Sequence, residues 1–162
     1  MEKFKQLVKE ANKAFETADH LAYVTYPVVN DSRLIVNITE NIYIALKKGV
    51  EAILYYEWLY KRIYNLSDNF DTNLQIFKDN IAKKYDFSQK DLDLIDNIKQ
   101  IMDHRLKCSM EFSRKDRFVL ASPNYQLKVL SLPTVKNYLI GVKVFLNKLN
   151  SIDIQNDGRF RR

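Results

Sequence analysis

The chain reads as an all-α protein: a five-helix up-and-down bundle with one long central helix and a small β-hairpin or extended insertion before the last helix. Two observations point there. Apolar residues recur at three- and four-residue steps through most of the 162 residues, and only three glycines and three prolines are available to interrupt them. A hydrophobic fraction of 46% suffices for one core, so a single domain over residues 1–150 is expected, followed by a polar basic tail over 151–162.

The first helix carries Phe4, Leu7, Val8, Ala11, Ala14, Phe15, Ala18 and Leu21 on one stripe, and Pro27 is expected to end it, because the residue before a proline is pushed out of the α region. Asn30, Asp31 and Ser32 offer N-caps to a second helix with no breaker before Tyr64. At 1.5 Å per residue that helix is on the order of 50 Å long, against roughly 30 Å for a compact domain. It must bend near Gly49 or project at one end. It is also apolar on several faces, which makes it either the central helix or a dimer interface. A third helix follows with Leu74, Phe77, Ile81 and Tyr85. Ser88 and Asp91 form a capping-box pattern for a fourth, with Leu94, Ile95, Ile98, Ile101, Met102 and Leu106 inward. Alternation on either side of Ser122-Pro123-Asn124 marks a hairpin. Ser131 and Pro133 open a last helix whose inner residues run from Val135 to Leu149.

Charge is distributed unevenly. His104 to Arg162 holds twelve Lys or Arg against four Asp or Glu, whereas Asn65 to Asp103 holds five against eight. A basic third on an otherwise mild chain points to a local anionic partner, RNA first. The segment from His104 to Arg117 concentrates it, with Arg105, Lys107, Arg114, Lys115 and Arg117 against only Glu111 and Asp116. Guanidinium groups grip phosphate bidentately, and Phe112 and Phe118 lie where an aromatic ring could stack on an unpaired base. The competing reading is a solvated turn whose acids pair with its own bases. Lys128 and the arginine-rich tail extend the basic surface. Tyr56, Trp58, Tyr60 and Tyr64 form an aromatic zone that suits a protein interface, including a homodimer through the second helix.

No catalytic set is recognisable. The two histidines, His20 and His104, lack a zinc-ligand pattern, so neither metal nor cofactor is expected. Three glycines cannot build a phosphate cradle or dinucleotide fingerprint. Cys108 stands alone, without the His and Asp that would activate it, and reads as a small buried side chain. The opening run MEKFKQLVKEANKAF lacks the apolar core of a secretory signal, and no window approaches the roughly 18 apolar residues of a membrane span. A cytoplasmic location with no membrane partner is the expectation.

The order of elements, a long helical hairpin, two shorter helices, a basic connector and a final amphipathic helix, resembles the HEPN superfamily over about Met1 to Asn150. The stretch EANKAFETADHLAYVTYPVVNDSRLIVNITENIYIALKKGVEAILYYE is similar in texture to the first two helices of that superfamily. It also resembles small archaeal helical proteins of unestablished function. The resemblance implies a dimer that acts on RNA or partners another protein. Ribonuclease members carry an Arg followed four to six residues later by His. Here Arg105 directly follows His104, and no histidine comes after it. The resemblance therefore implies a non-catalytic member that binds RNA. A protein-interaction bundle of antitoxin-like or scaffolding kind is the second expectation, and a ribonuclease using His104, Arg105 and Arg114 the third.

Overall fold

The computed structural model of the protein describes residues 1–160. It is mostly helical, with five main helices, and a three-stranded antiparallel sheet stands before the last of them. All-α is thus an approximation. The five are α1 (Glu2–His20), α3 (Leu34–Leu59), α4 (Phe70–Ile76), α5 (Gln89–Lys107) and α6 (Leu132–Phe160), with a short α2 (Tyr26–Val29) between the first two. The strands are β1 (Met110–Arg114), β2 (Arg117–Ala121) and β3 (Leu127–Ser131), with β2 in the middle.

The apolar stripe of α1 is buried as the periodicity demands, from Phe4 to Ala18. Pro27 does not end the helical path. Leu21–Thr25 form one π-turn, closed by an i→i−5 bond from the Tyr26 N–H to the Leu21 carbonyl, and Pro27 then occupies the first turn of α2, where a missing N–H costs little. Tyr26 stays α-helical despite the proline that follows it, and its ring is buried. The path ends instead at Asn30, in the left-handed conformation that Asn tolerates.

The long helix α3 is the central one and packs against α1, α5 and α6. Its all-round apolarity is consumed inside the chain: of its large apolar side chains only Ile44, Trp58 and Leu59 are exposed. It spans 26 residues, about 39 Å, and stops five residues short of the expected end. The stop is a Schellman motif. The Lys61 N–H donates to Trp58 O at 2.9 Å, the Arg62 N–H donates to Glu57 O at 2.9 Å, and Lys61 itself is left-handed. Gly49 lets α3 and α6 approach closely, since a Cβ there would run into the Phe145 ring.

Ser88 and Asp91 make the expected capping box, with both reciprocal bonds present. Leu94, Ile95, Ile98 and Ile101 are buried, but Leu106 is not; α5 has run past the core by its last turn. The final helix α6 runs on to Phe160, through residues assigned by sequence to the tail, and Ile152 is buried. Arg161 and Arg162 of the basic tail lie outside the described residues.

The hairpin around Ser122-Pro123-Asn124 forms as β2–β3. The segment preceding it, which sequence placed in a helix-to-loop connector, supplies a third strand. Met110, Phe112 and Arg114 of β1 pair with Ala121, Val119 and Arg117 of β2. One sheet face, carrying Phe118, Leu120 and Leu130, enters the helical core. The opposite face carries Met110, Phe112, Leu127 and Val129, of which Met110 and Leu127 are about 60% exposed. No described helix is long and apolar enough to cross a membrane.

Candidate nucleic-acid interface

The basic segment of the sequence is divided by the fold into three environments. The first is the last turn of α5. There Arg105 is held between two carboxylates, Glu40 of α3 and Glu111 of β1, the latter at 3.1 Å. Arg105 is thus a clamp joining α3, α5 and β1. Its partner Glu40 lies 65 residues away in sequence, so no local pattern reveals the pairing.

The second environment is the turn between β1 and β2. Arg114 and Arg117 stand directly opposite one another on the outer sheet face, with Lys115 and Asp116 as the two connecting residues. Asp116 adopts a left-handed φ of 55°, which Asp tolerates better than most residues. The turn is fastened to the helices at three points. The buried Tyr26 hydroxyl donates to Asp116 Oδ1 at 2.8 Å, Ser32 Oγ donates to the Arg114 carbonyl at 2.6 Å, and the Leu132 N–H donates to the Asp116 carbonyl. Ser32, expected as an N-cap of α3, does this instead. Burial and the Asp116 hydrogen bond push the Tyr26 hydroxyl above its ordinary pKa of 10.0, so it stays a donor.

The one acid of the turn, Asp116, thus bonds the neutral Tyr26 hydroxyl and pairs with none of the turn's cations. Arg114, Lys115 and Arg117 are exposed and, among the described residues, form no ion pair. The Arg114 guanidinium lies 5.6 Å from the centre of the half-buried Phe112 ring. Phe118 is in the core and is no stacking platform.

The third environment is a cleft of about 580 Å³ between α5 and the β2–β3 turn, where Lys107 and Lys128 meet His104, Asn124 and Gln126. Sequence put Lys107 and Lys128 in one basic surface with Arg114 and Arg117. The fold gives them separate settings. The trio His104, Arg105 and Arg114 is not gathered either: His104 lines the Lys107 cleft, whereas Arg105 lines a different one with Glu111 and Phe112. Cys108 donates to the His104 carbonyl, and burial pushes its thiol above the ordinary value, the opposite of an activated nucleophile. No group of metal-ligating side chains occurs among the described residues.

The aromatic zone also divides. Tyr56 is buried against Phe4, with ring centres 5.3 Å apart, and belongs to the core. Trp58, Tyr60 and Tyr64 are exposed, Tyr64 by 90%. Beside them sequence reasoning missed Glu57, which is only 3% exposed. Arg62 donates to its carboxylate at 3.0 Å, Lys84 at 2.9 Å, and the Tyr85 hydroxyl also donates. Burial works to raise the Glu57 pKa, and the donors Tyr85, Lys84 and Arg62 override it and hold the group below its ordinary 4.5.

No protein-family model matches the chain, and no curated protein or solved structure matches it.

Proposed function

We propose that this chain is a non-catalytic, HEPN-like helical bundle that binds RNA through the turn joining β1 to β2. One observation carries the reading: Arg114, Lys115 and Arg117 stand on a fastened turn whose only acid bonds Tyr26 and forms an ion pair with none of them, leaving an excess of positive charge. Two like charges directly opposite on a sheet repel. A phosphate bridging Arg114 and Arg117 would relieve that repulsion and accept charge-assisted hydrogen bonds from both. The kinship rests on the order of elements, with a long helical hairpin first and an amphipathic helix after the basic connector.

The test is fluorescence anisotropy of a labelled single-stranded RNA across a salt series. Affinity should fall steeply with salt, and neutralising all three residues to Gln should reduce the slope by about 2, at roughly 0.7 per phosphate contact on a single strand. An unchanged slope rules out this turn as the contact.

A second reading, a protein-interaction bundle that pairs with itself or another chain, is favoured by the outer sheet face. Met110, Leu127 and Val129 are exposed there beside the half-buried Phe112. Sedimentation of the wild type against a Met110→Ser, Leu127→Ser double variant separates it from the first.

A further inference from the structure

The turn between β2 and β3 holds a residue that packing does not explain. Tyr125 has a left-handed φ of 60° and is 91% exposed. Gly or Asn suits that backbone; a bulky side chain is uncommon there. The conformation is enforced by its neighbours. The Tyr125 N–H donates to Ser122 O at 2.9 Å, the Ser122 N–H to Gln126 O at 3.0 Å, and the Gln126 N–H to Ser122 Oγ at 3.1 Å. A locked turn thus displays an aromatic ring to solvent. Asn124 and Gln126, on either side of it, line the cleft that also holds Lys107 and Lys128, whereas Tyr125 itself lies outside that lining. Register explains the convergence. Lys128 pairs with Leu120, whose side chain enters the core, so it shares the face that looks toward α5. The His104 ring meets the Leu120 carbonyl at 3.4 Å and brings the last turn of α5, with Lys107, to the same place. Asp103 also lines this cleft, and its carboxylate is paired with Lys99 at 2.8 Å.

We propose that this cleft and the turn beside it form a nucleotide subsite for single-stranded RNA, with a phosphate held by Lys107 and Lys128, the adjoining ribose bonded by Asn124 and Gln126, and an unpaired base stacked outside the cleft on Tyr125. The inference rests on the RNA reading above and adds a base-recognising element to a turn that contacts phosphate alone. Each part has the chemistry its role needs. A ring stacks on any base, amides both donate and accept, and ammonium groups serve as point charges for phosphate.

The experiment titrates the full chain with a fluorescein-labelled ten-nucleotide RNA and with an abasic ribose-phosphate oligomer of the same length. Wild type should bind the RNA roughly tenfold more tightly than the abasic oligomer, the size of one stacked base. Tyr125→Asn should abolish that difference while leaving abasic binding and the salt slope unchanged. Asn suits the left-handed turn, so the variant should melt no lower than wild type, and lost binding then cannot come from misfolding. The double variant Lys107→Gln, Lys128→Gln should lower the salt slope for both probes. Equal wild-type affinities for the two probes, or a Tyr125→Asn variant indistinguishable from wild type, overturn the subsite and leave phosphate binding at the β1–β2 turn intact. Failure of wild type to bind either probe at low salt overturns both readings.

Discussion

Two charged clusters of similar size sit in different parts of the molecule and differ in one respect. Around Glu57, two cations and a tyrosine hydroxyl enclose a buried carboxylate, and every charge has a partner. At the β1–β2 turn, three cations stand beside one acid, which bonds the Tyr26 hydroxyl and pairs with none of them. The first arrangement closes the end of α3: Arg62, which supplies the Schellman N–H, also supplies a guanidinium to Glu57. The three cations of the second contribute nothing comparable to the fold. Charges that build structure come with their counter-charges, whereas charges held on a fixed scaffold without them are disposed to meet an anion from outside.

Breaking the first cluster should have the larger effect on stability. Glu57→Gln removes the charge and leaves Arg62 and Lys84 half exposed but unpaired, a cost of about 2 kcal/mol. In a protein of this length that lowers Tm by roughly 4–8 °C. Differential scanning calorimetry reads it directly, and a Tm unchanged within a degree would mean the network contributes no net stability. RNA affinity should not move. The same group gives a pH dependence. Its folded pKa lies below its ordinary 4.5, so the stability it contributes is present above about pH 4.5 and is lost as pH falls through the lower folded value. The gap in stability between wild type and Glu57→Gln should be constant near neutrality and shrink below pH 4.5. A gap that widens on acidification reverses the sign and refutes the assignment.

Arg105 sharpens the comparison from within the basic segment. By sequence it is indistinguishable from Arg114, but the fold gives it Glu40 and Glu111. Arg105→Gln should therefore behave as a milder Glu57→Gln, costing at most about 1 kcal/mol because the pair is partly exposed. The RNA salt slope should stay as it is. A slope reduced as much by Arg105→Gln as by a change at Arg114 would place Arg105 among the phosphate contacts.

These contrasts mark how far the sequence could be read. Helices α1, α5 and α6 announce themselves because one face of each is buried, and burial imposes period on the residues. The Ser88–Asp91 capping box is local, so four residues suffice to see it. Strand β1 escaped because its outward residues, Met110 and Phe112, interleave with Glu111 and Ser113 among charges. Only pairing with β2 makes that segment a strand. Pro27 does not stop the helical path because it falls in the first turn of α2, after a π-turn that has no sequence signature. The site was half legible. Charge imbalance located the basic third, but whether a given cation has a partner depends on residues such as Glu40 and Tyr26, which lie 65 and 90 residues away from Arg105 and Asp116.

The smallest effect on stability is expected where three cations lie together without an ion pair. Replacing Arg114, Lys115 and Arg117 together by Gln removes no ion pair among the described residues and leaves Tyr26–Asp116 and Ser32–Arg114 carbonyl bonds in place, since the latter uses backbone. Each exposed substitution should stay within about 0.5 kcal/mol. The sign should if anything favour the variant, because Arg114 and Arg117 face one another across the strands and their repulsion disappears. That relief should fade as salt screens the pair, so the variant's advantage in Tm should be greatest at low ionic strength. A triple variant that unfolds several degrees lower would mean these cations are structural after all. The two clusters would then differ only in how visibly their partners are arranged.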